Sequence, residues 1–203
     1  MRLLTIIPNN LFNYYSFELY FEEYTMNTSI NTGELINEIH LVSSEQPMIM
    51  GQYEVKAKQI INADITSAWQ VLADFYDVYT WVPGVSKSYA LNDFPLGVGA
   101  ARYCKLDDFG SIEEHITHWV DQIGFVYTIS PLGPLNNAVS RWWLTPLANK
   151  QTLLEVTLKY DIRFGVFGKM MHRIIMRNKL EKSLPDTLFA VKRKVEANAN
   201  RCN

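Results

Sequence analysis

Two opposite charges lie among apolar residues in the segment 96–114, which reads LGVGAARYCKLDDFGSIEE. Arg102 and Glu114 each occupy the apolar register of an alternating strand pattern, on either side of a predicted turn over 107–110. Because burying an unpaired ion is costly in free energy, two opposite charges on the covered side of a hairpin indicate a polar site inside a cavity. The pattern predicts a cavity that holds a small molecule.

The two charges allow two interpretations. An odd number of residues in the turn would bring Arg102 and Glu114 to the same face as opposite or diagonal neighbours, with Cys104 beside them. The pair could be structural, each ion satisfying the other. Alternatively, Arg102 anchors a ligand oxygen while Glu114 holds the guanidinium in place.

Acid–base chemistry in the same hollow would need a further group. His118 has the strand parity of Glu114, and Tyr127 lies on the next strand, so Glu114, His118 and Tyr127 are the candidate catalytic residues. An inward histidine can equally be a hydrogen-bonded wall residue. His115 has the opposite parity to His118, and no Cys or carboxylate spacing completes a metal site, so we expect neither metal nor cofactor.

The bulk composition restricts the class of protein. The 203 residues are 48% hydrophobic and 20% charged, with a net charge of −2, which predicts one globular domain with an extension and no nucleic-acid partner. Cys104 and Cys202 form no disulfide framework, and the apolar run near the start stops at Pro8. We therefore expect a cytoplasmic protein that is a monomer or a weak dimer.

The order of predicted elements defines the fold class. A strand over 53–61 precedes two short helices, the first capped by Asp64 and the second over 74–81. Six strands follow, at about 86–92, 100–107, 111–120, 124–130, 138–145 and 152–163, and then a long helix over 167–195 that Pro185 should kink or divide. An apolar stripe along this helix should face the hollow, and it comprises Phe167, Met170, Met171, Ile174, Ile175, Leu180, Leu184, Leu188, Val191 and Val195. This order predicts an α+β fold in which a curved antiparallel sheet wraps around the C-terminal helix.

Charge is distributed unevenly along the chain. Residues 1–50 hold one basic residue, Arg2, against six acids, all glutamates, and carry no recognisable motif. We expect a poorly ordered extension over 1–50 that the domain can lose, a ligand-binding domain over 51–197 and a tail over 198–203. Alternatively, the extension is an aromatic arm that packs on its own domain or on a partner. The basic side chains of the last helix predict either a solvated face or a weak docking surface for an anionic membrane or an acidic partner. They are Lys169, Arg173, Arg177, Lys179 and Lys182.

Several motifs together resemble one superfamily. They are ADITSAWQVLADF over 63–75, with Trp81 and Pro83 after it, GVGAAR over 97–102, GSIEE over 110–114 and YTI over 127–129. In this order, over roughly 52–196, the chain resembles the START-like or Bet v 1-like (SRPBCC) superfamily, within its polyketide cyclase/dehydrase and lipid-transport group. The resemblance implies a helix-grip fold.

The resemblance also implies a function, namely the binding or transport of a lipid, quinone or polyketide-like molecule between the sheet and the C-terminal helix. A cyclase or dehydratase using cavity acid–base residues is the first alternative, and a protein-interaction module is the second. The side chains expected to line the cavity are Trp81, Arg102, Glu114, His118, Tyr127, Trp142, Leu158, Tyr160, Met170, Met171 and Ile174.

Overall fold

The computed structural model describes residues 46–201. Expectations that concern residues 1–45, which make up most of the predicted extension, and Cys202 lie outside the described residues. The elements are β1 (Tyr53–Ile61), α1 (Ile65–Leu72), a 3₁₀ turn (Val78–Thr80), β2 (Val85–Ala90), β3 (Ala101–Leu106), β4 (Gly110–Val120), β5 (Gly124–Ile129), β6 (Leu135–Leu147), β7 (Gln151–Ile162), α2 (Gly165–Met171), a π-helical turn (His172–Met176) and α3 (Arg177–Ala199).

The seven strands form one antiparallel sheet in the order β1-β7-β6-β5-β4-β3-β2. The curved sheet and the long C-terminal helical run confirm the predicted helix-grip α+β fold. Two boundaries differ from the sequence-based prediction. The strand predicted over 138–145 extends over Leu135–Leu147, and the second short helix is only the 3₁₀ turn.

Helix α1 begins where the sequence predicts. The carboxylate of Asp64 accepts a hydrogen bond from the backbone N–H of Ser67 at 2.8 Å, which satisfies one of the free amides of the first turn. The apolar face of α1, which includes Trp69 and Leu72, is buried in the main core. The helix therefore closes one end of the space between the sheet and α3.

The C-terminal half of α3 fills the sheet's concave side. Leu188, Val191 and Val195 are at most 1% exposed and pack in one cluster with Ile61 and Leu154. Burial of this stripe is the main apolar contact that fixes α3 against the sheet. No helix within residues 46–201 is both long and apolar enough to cross a membrane.

The N-terminal part of the helical run differs from the prediction. The chain was expected to form one helix over 167–195 with the stripe Phe167, Met170, Met171, Ile174 and Ile175 facing the core. Instead, a π turn interrupts it, and the sheet side is occupied by Gly168, His172 and Met176. Helix α3 in turn continues through Pro185 without dividing.

A longer repeat explains this difference. A π turn closes hydrogen bonds between residues i and i+5, so it has more residues per turn than an α-helix. Every fourth residue of this run therefore stays on the sheet side, whereas the 3.6-residue repeat of an α-helix would rotate these positions away from the sheet. Gly168 must lack a side chain because a Cβ there would lie 1.8 Å from the carbonyl oxygen of Arg163. His172 is held by the hydroxyl of Tyr160, 2.8 Å from its Nε2.

Candidate functional site

A cavity of about 190 Å³ lies between the sheet and α3. Most of its wall is apolar, as in most small-molecule sites, and the polar groups are few. The lining side chains are Leu72, Val78, Trp81, Val82, Val85, Arg102, Cys104, Leu106, Ile112, Glu114, Phe125, Tyr127, Ile129, Ser140, Trp142, Leu158, Leu180, Ser183, Leu184 and Thr187.

Arg102 and Glu114 form the polar spot of this cavity. The β3–β4 hairpin has a three-residue turn closed by the pair Leu106 and Gly110, with Gly110 at φ +98°, so the two charged residues lie directly opposite each other. Nε of Arg102 donates to the Glu114 carboxylate, and the two residues are 6% and 4% exposed. The prediction that both face one covered side is confirmed.

The rest of the Arg102 guanidinium is also held. Nη1 of Arg102 donates to the backbone carbonyl of Phe75. Cζ of the guanidinium lies 3.9 Å from the ring centroid of Phe75 and 5.5 Å from the ring centroid of Tyr127. Within residues 46–201, Nη2 makes no hydrogen bond. A donor of a charged group that faces a cavity without a partner can bind a ligand oxygen.

Burial determines the protonation of the groups around the pair. Desolvation lowers the pKa of Arg102, but the adjacent Glu114 carboxylate outweighs it and the net pKa is raised, so the guanidinium stays charged. Desolvation, reinforced by Glu114, raises the pKa of the Cys104 thiol to about 12. The same two causes raise the pKa of Tyr127 above its usual value. Both groups therefore remain neutral, and neither provides an anionic nucleophile or base at neutral pH.

Tyr127 belongs to a short hydrogen-bonded chain across β5 and β6. Nε1 of Trp142 donates to the Tyr127 hydroxyl at 3.1 Å and to the Ser140 hydroxyl at 3.0 Å. The tyrosine oxygen accepts the hydrogen bond of Trp142, and a phenol hydroxyl can also donate one. These residues give the wall a second polar point beside Arg102.

A second pocket of about 390 Å³, which we call the outer chamber, lies beside the cavity. The two share Val82, Val85, Leu106, Leu180, Ser183 and Thr187 as lining residues. Beyond these, the turn of the β3–β4 hairpin forms one side of the outer chamber, where Lys179 lies 3.6 Å from the carboxylate of Asp108 and 4.6 Å from the Phe109 ring centroid. The outer chamber alone falls in the range of about 300–1,000 Å³ typical of ligand pockets.

Trp81 lies at the junction of the wall and the 3₁₀ turn. Among residues 46–201 its Nε1 is the one buried side-chain donor without a hydrogen-bond partner. Buried donors are normally paired, and an orphan costs on the order of 1–3 kcal/mol. Trp81 is therefore a wall residue whose hydrogen-bonding capacity is unused.

Six of the predicted lining residues line the cavity: Trp81, Arg102, Glu114, Tyr127, Trp142 and Leu158. His118 does not, because the β4–β5 register shifts between Ile116 and His118 and turns the imidazole to solvent beside Thr117. Strand parity cannot reveal such a bulge. The prediction for His118 is wrong.

Four residues further along the chain also lie outside the cavity. Tyr160 is buried in a separate cluster, where its ring stacks on Tyr53 and its hydroxyl contacts His172. Met170 and Ile174 are 50% and 64% exposed, and Met171 is half-buried without touching the cavity. The expectation that these side chains form its wall is wrong. Tyr160, on β7, packs in the separate cluster, and the three helical residues point away because the inward face of the helical run is displaced from the apolar stripe.

The helix contributes instead through a segment of α3. Leu180 and Leu184 belong to the apolar stripe, while Ser183 and Thr187 were missed because their hydroxyls resemble a solvated face. Their i, i+4 spacing was the available signal. Both hydroxyls bond to backbone carbonyls of the same helix, which leaves their apolar atoms to line the cavity.

Comparisons with solved structures agree on the fold. TTHA0849 from Thermus thermophilus superposes with a TM-score of 0.59 at 16% identity, covering 72% of this chain and 99% of that one. ZhuI aromatase/cyclase from Streptomyces sp. R1128 gives 0.58 at 16% identity, over 72% and 95% of the two chains. A START superfamily protein from Mycobacterium smegmatis gives 0.56 at 15% identity, over 71% and 97%.

No curated protein sequence matches the chain. Residues 52–196, by contrast, match the family described as Polyketide cyclase / dehydrase and lipid transport. The match covers most of the chain and coincides with the helix-grip elements built above. The chain belongs to the polyketide cyclase / dehydrase and lipid transport family.

Proposed function

We propose that the protein binds or transports a hydrophobic or amphipathic small molecule, such as a lipid, a quinone or a polyketide-like compound. One observation carries the proposal: an apolar cavity between the sheet and α3 contains a single buried ion pair, Arg102 with Glu114. An apolar wall binds the body of such a molecule through the hydrophobic effect.

The polar spot gives the ligand an orientation. Nη2 of Arg102 is the free donor, and Glu114 and the Phe75 carbonyl hold the guanidinium in position. We propose that Arg102 binds an oxygen-bearing end of the ligand, with Tyr127 as a second donor. Trp81, Glu114, Trp142 and Leu158 then belong to the ligand-binding wall.

A cyclase or dehydratase is the second candidate, and the presence of Glu114 and Tyr127 in the same cavity favours it. The arrangement weighs against acid–base catalysis by either residue. Glu114 is already bonded to Arg102, and the pKa of Tyr127 is raised by burial, so the phenol donates rather than abstracts a proton. We therefore favour a carrier over an enzyme.

Localisation, oligomeric state and domain limits follow as parts of the same proposal. A reduced Cys104 suits the cytoplasm, and the ligand-binding domain comprises residues 51–197 as a monomer or weak dimer.

A bulky side chain in the wall that the two chambers share tests the proposal. Thr187→Trp places an indole where both chambers meet, whereas Asp186→Trp adds the same side chain to the exposed neighbouring position. The probe is 1-anilinonaphthalene-8-sulfonate, which combines an apolar body with charged oxygens. We expect Thr187→Trp to weaken its binding about tenfold or more, since overfilling a packed site costs about 1–3 kcal/mol. Equal affinity in both variants would reject the cavity as the binding site.

A matched pair of ligands tests the orientation. A long-chain carboxylate and the alcohol of the same chain length share their apolar body and differ in charge. Arg102→Met should weaken binding of the carboxylate by about 1.5–3 kcal/mol, the scale of a hydrogen bond to a charged group, and affect the alcohol much less. An equal loss for both ligands would remove the anchoring role of Arg102.

A further inference from the structure

An apolar surface patch lies where the helical run begins. Six side chains within twelve residues are between 48% and 87% exposed. They are Phe164, Val166, Phe167, Met170, Ile174 and Ile175, and we call them the α2 patch. Contiguous exposed apolar surface on this scale marks an interaction site more often than chance exposure does.

Positive charge surrounds the α2 patch. From Arg163 to Leu180 the chain holds five basic residues and no acidic residue. Arg177 and Lys179 are engaged by Glu181 and Asp108, but Lys169 and Arg173 make no ion pair within residues 46–201. The surface therefore combines exposed apolar groups with cations that pair with no acidic residue of the described part of the chain.

The fold holds the α2 patch outward. Helix α2 starts at two residues of positive φ, its N-cap Phe164 at +69° and its first residue Gly165 at +53°. The inward positions of the helical run are taken by Gly168 and His172. The side chain of His172 packs against Tyr53 and bonds to the Tyr160 hydroxyl. Since glycine and a fixed histidine occupy the sheet side, the apolar stripe cannot rotate into the core.

We propose that the α2 patch docks the protein on an anionic lipid bilayer, with the apolar side chains entering the interface and Lys169 and Arg173 facing the headgroups. An apolar face beside a basic one, with no acidic residue between them, is the pattern of interfacial helices. Met176 and Leu180, which follow the patch in the chain, line the outer chamber. This inference goes beyond ligand binding and stands or fails independently of it.

The apolar part of the surface is tested with the full chain and vesicles. The vesicles contain phosphatidylcholine with about 30% phosphatidylserine, and pure phosphatidylcholine serves as the reference. Phe167→Ser with Ile174→Ser should lower partitioning into the anionic vesicles about tenfold or more, because two apolar side chains lose their burial. Phe189→Ser, a change at a 53% exposed phenylalanine on α3, should leave partitioning unchanged.

The charges are tested on the same vesicles. Lys169→Glu with Arg173→Glu should reduce partitioning about tenfold or more and abolish the preference for phosphatidylserine, whereas Arg193→Glu, on an exposed position of α3, should do neither. All variants should keep the wild-type melting temperature, since each change lies at an exposed or unburied side chain.

Three results would overturn the proposal. They are no partitioning of the full chain, equal partitioning into both kinds of vesicle, and equal effects of the patch and control variants. Sedimentation velocity without lipid identifies a competing occupant. If Phe167→Ser with Ile174→Ser converts a dimer to a monomer, the patch joins two copies of this chain and the lipid proposal is wrong.

Discussion

Replacing Arg102 with methionine would remove the cation that neutralises Glu114 in the cavity wall. The carboxylate is 4% exposed, and removing one partner of a buried ion pair costs about 3–5 kcal/mol. The Phe75 carbonyl loses its donor as well, which adds about 1 kcal/mol. At about 2–4 °C per kcal/mol for a chain of this size, we expect the melting temperature to fall by roughly 10 °C or more.

A double-mutant cycle measures the pair itself. Glu114→Gln removes the charge that Arg102→Met leaves uncompensated, so the double variant should recover much of the loss, with a coupling energy of about 2 kcal/mol or more. The control is Lys58→Met, because Lys58 pairs with Glu155 at the surface and is 64% exposed. Its loss should cost less than about 1 kcal/mol.

Urea unfolding of the four cycle variants, followed by circular dichroism, provides the free energies. If Arg102→Met costs no more than Lys58→Met, or if the two cavity substitutions are additive, the pair is hydrated rather than buried. The ion pair would then not be a fixed part of the wall, and the argument that it holds the guanidinium in position would fail.

Three further predictions concern single residues. Asp64→Ala should destabilise the protein by about 1 kcal/mol through loss of the α1 cap, while Asp64→Ser should keep most of that stability; equal losses in thermal unfolding would contradict the capping role. Burial is the largest cause that lowers the pKa of His172 in the folded chain, and the positive charge of Arg177 is the second. The imidazole therefore binds a proton more readily in the unfolded chain than in the folded chain. Stability should therefore fall as the pH drops below about 6.5, and His172→Gln should flatten this dependence in urea titrations at several pH values; an unchanged slope would contradict it. Cys104, with its pKa raised to about 12 and 2% exposed, should resist iodoacetamide at pH 8 until denaturant is added; rapid alkylation of the folded chain, seen by peptide mass spectrometry, would contradict its burial.

The ion pair could be predicted from sequence because local rules determine it. Alternation places Arg102 and Glu114 on the apolar faces of their strands, and the three-residue turn at Asp107 sets the register between them. Both rules act within thirteen residues of chain. The cap at Asp64 was predictable for the same reason, since donor and acceptor lie three residues apart.

His118 illustrates where alternation fails. The pattern places it on the face of Glu114 and Ile116, but the register shift after Ile116 reverses the direction of every later side chain in the strand. No turn residue or glycine in the sequence marks this position. The bulge depends on how β4 pairs with β5, which is a tertiary property.

The helix face was mispredicted for a related reason. Apolar spacing alone places Met170 and Ile174 inward, because a regular helix normally buries its apolar stripe. Which side of the helical run faces the sheet depends on the close approach of Gly168 to the Arg163 carbonyl and on the contact of His172 with Tyr160. Both contacts join the helical run to the end of β7, and periodicity carries no information about them.

Native mass spectrometry of the wild-type chain and Thr187→Trp, purified from the protein's own host, tests the central claim most directly. We predict that the wild type retains a small hydrophobic or amphipathic molecule, and that Thr187→Trp, folded to the same extent, has lost it. A wild-type chain without any bound molecule that also fails to bind added lipid, quinone or polyketide would contradict the claim that this cavity is a ligand site.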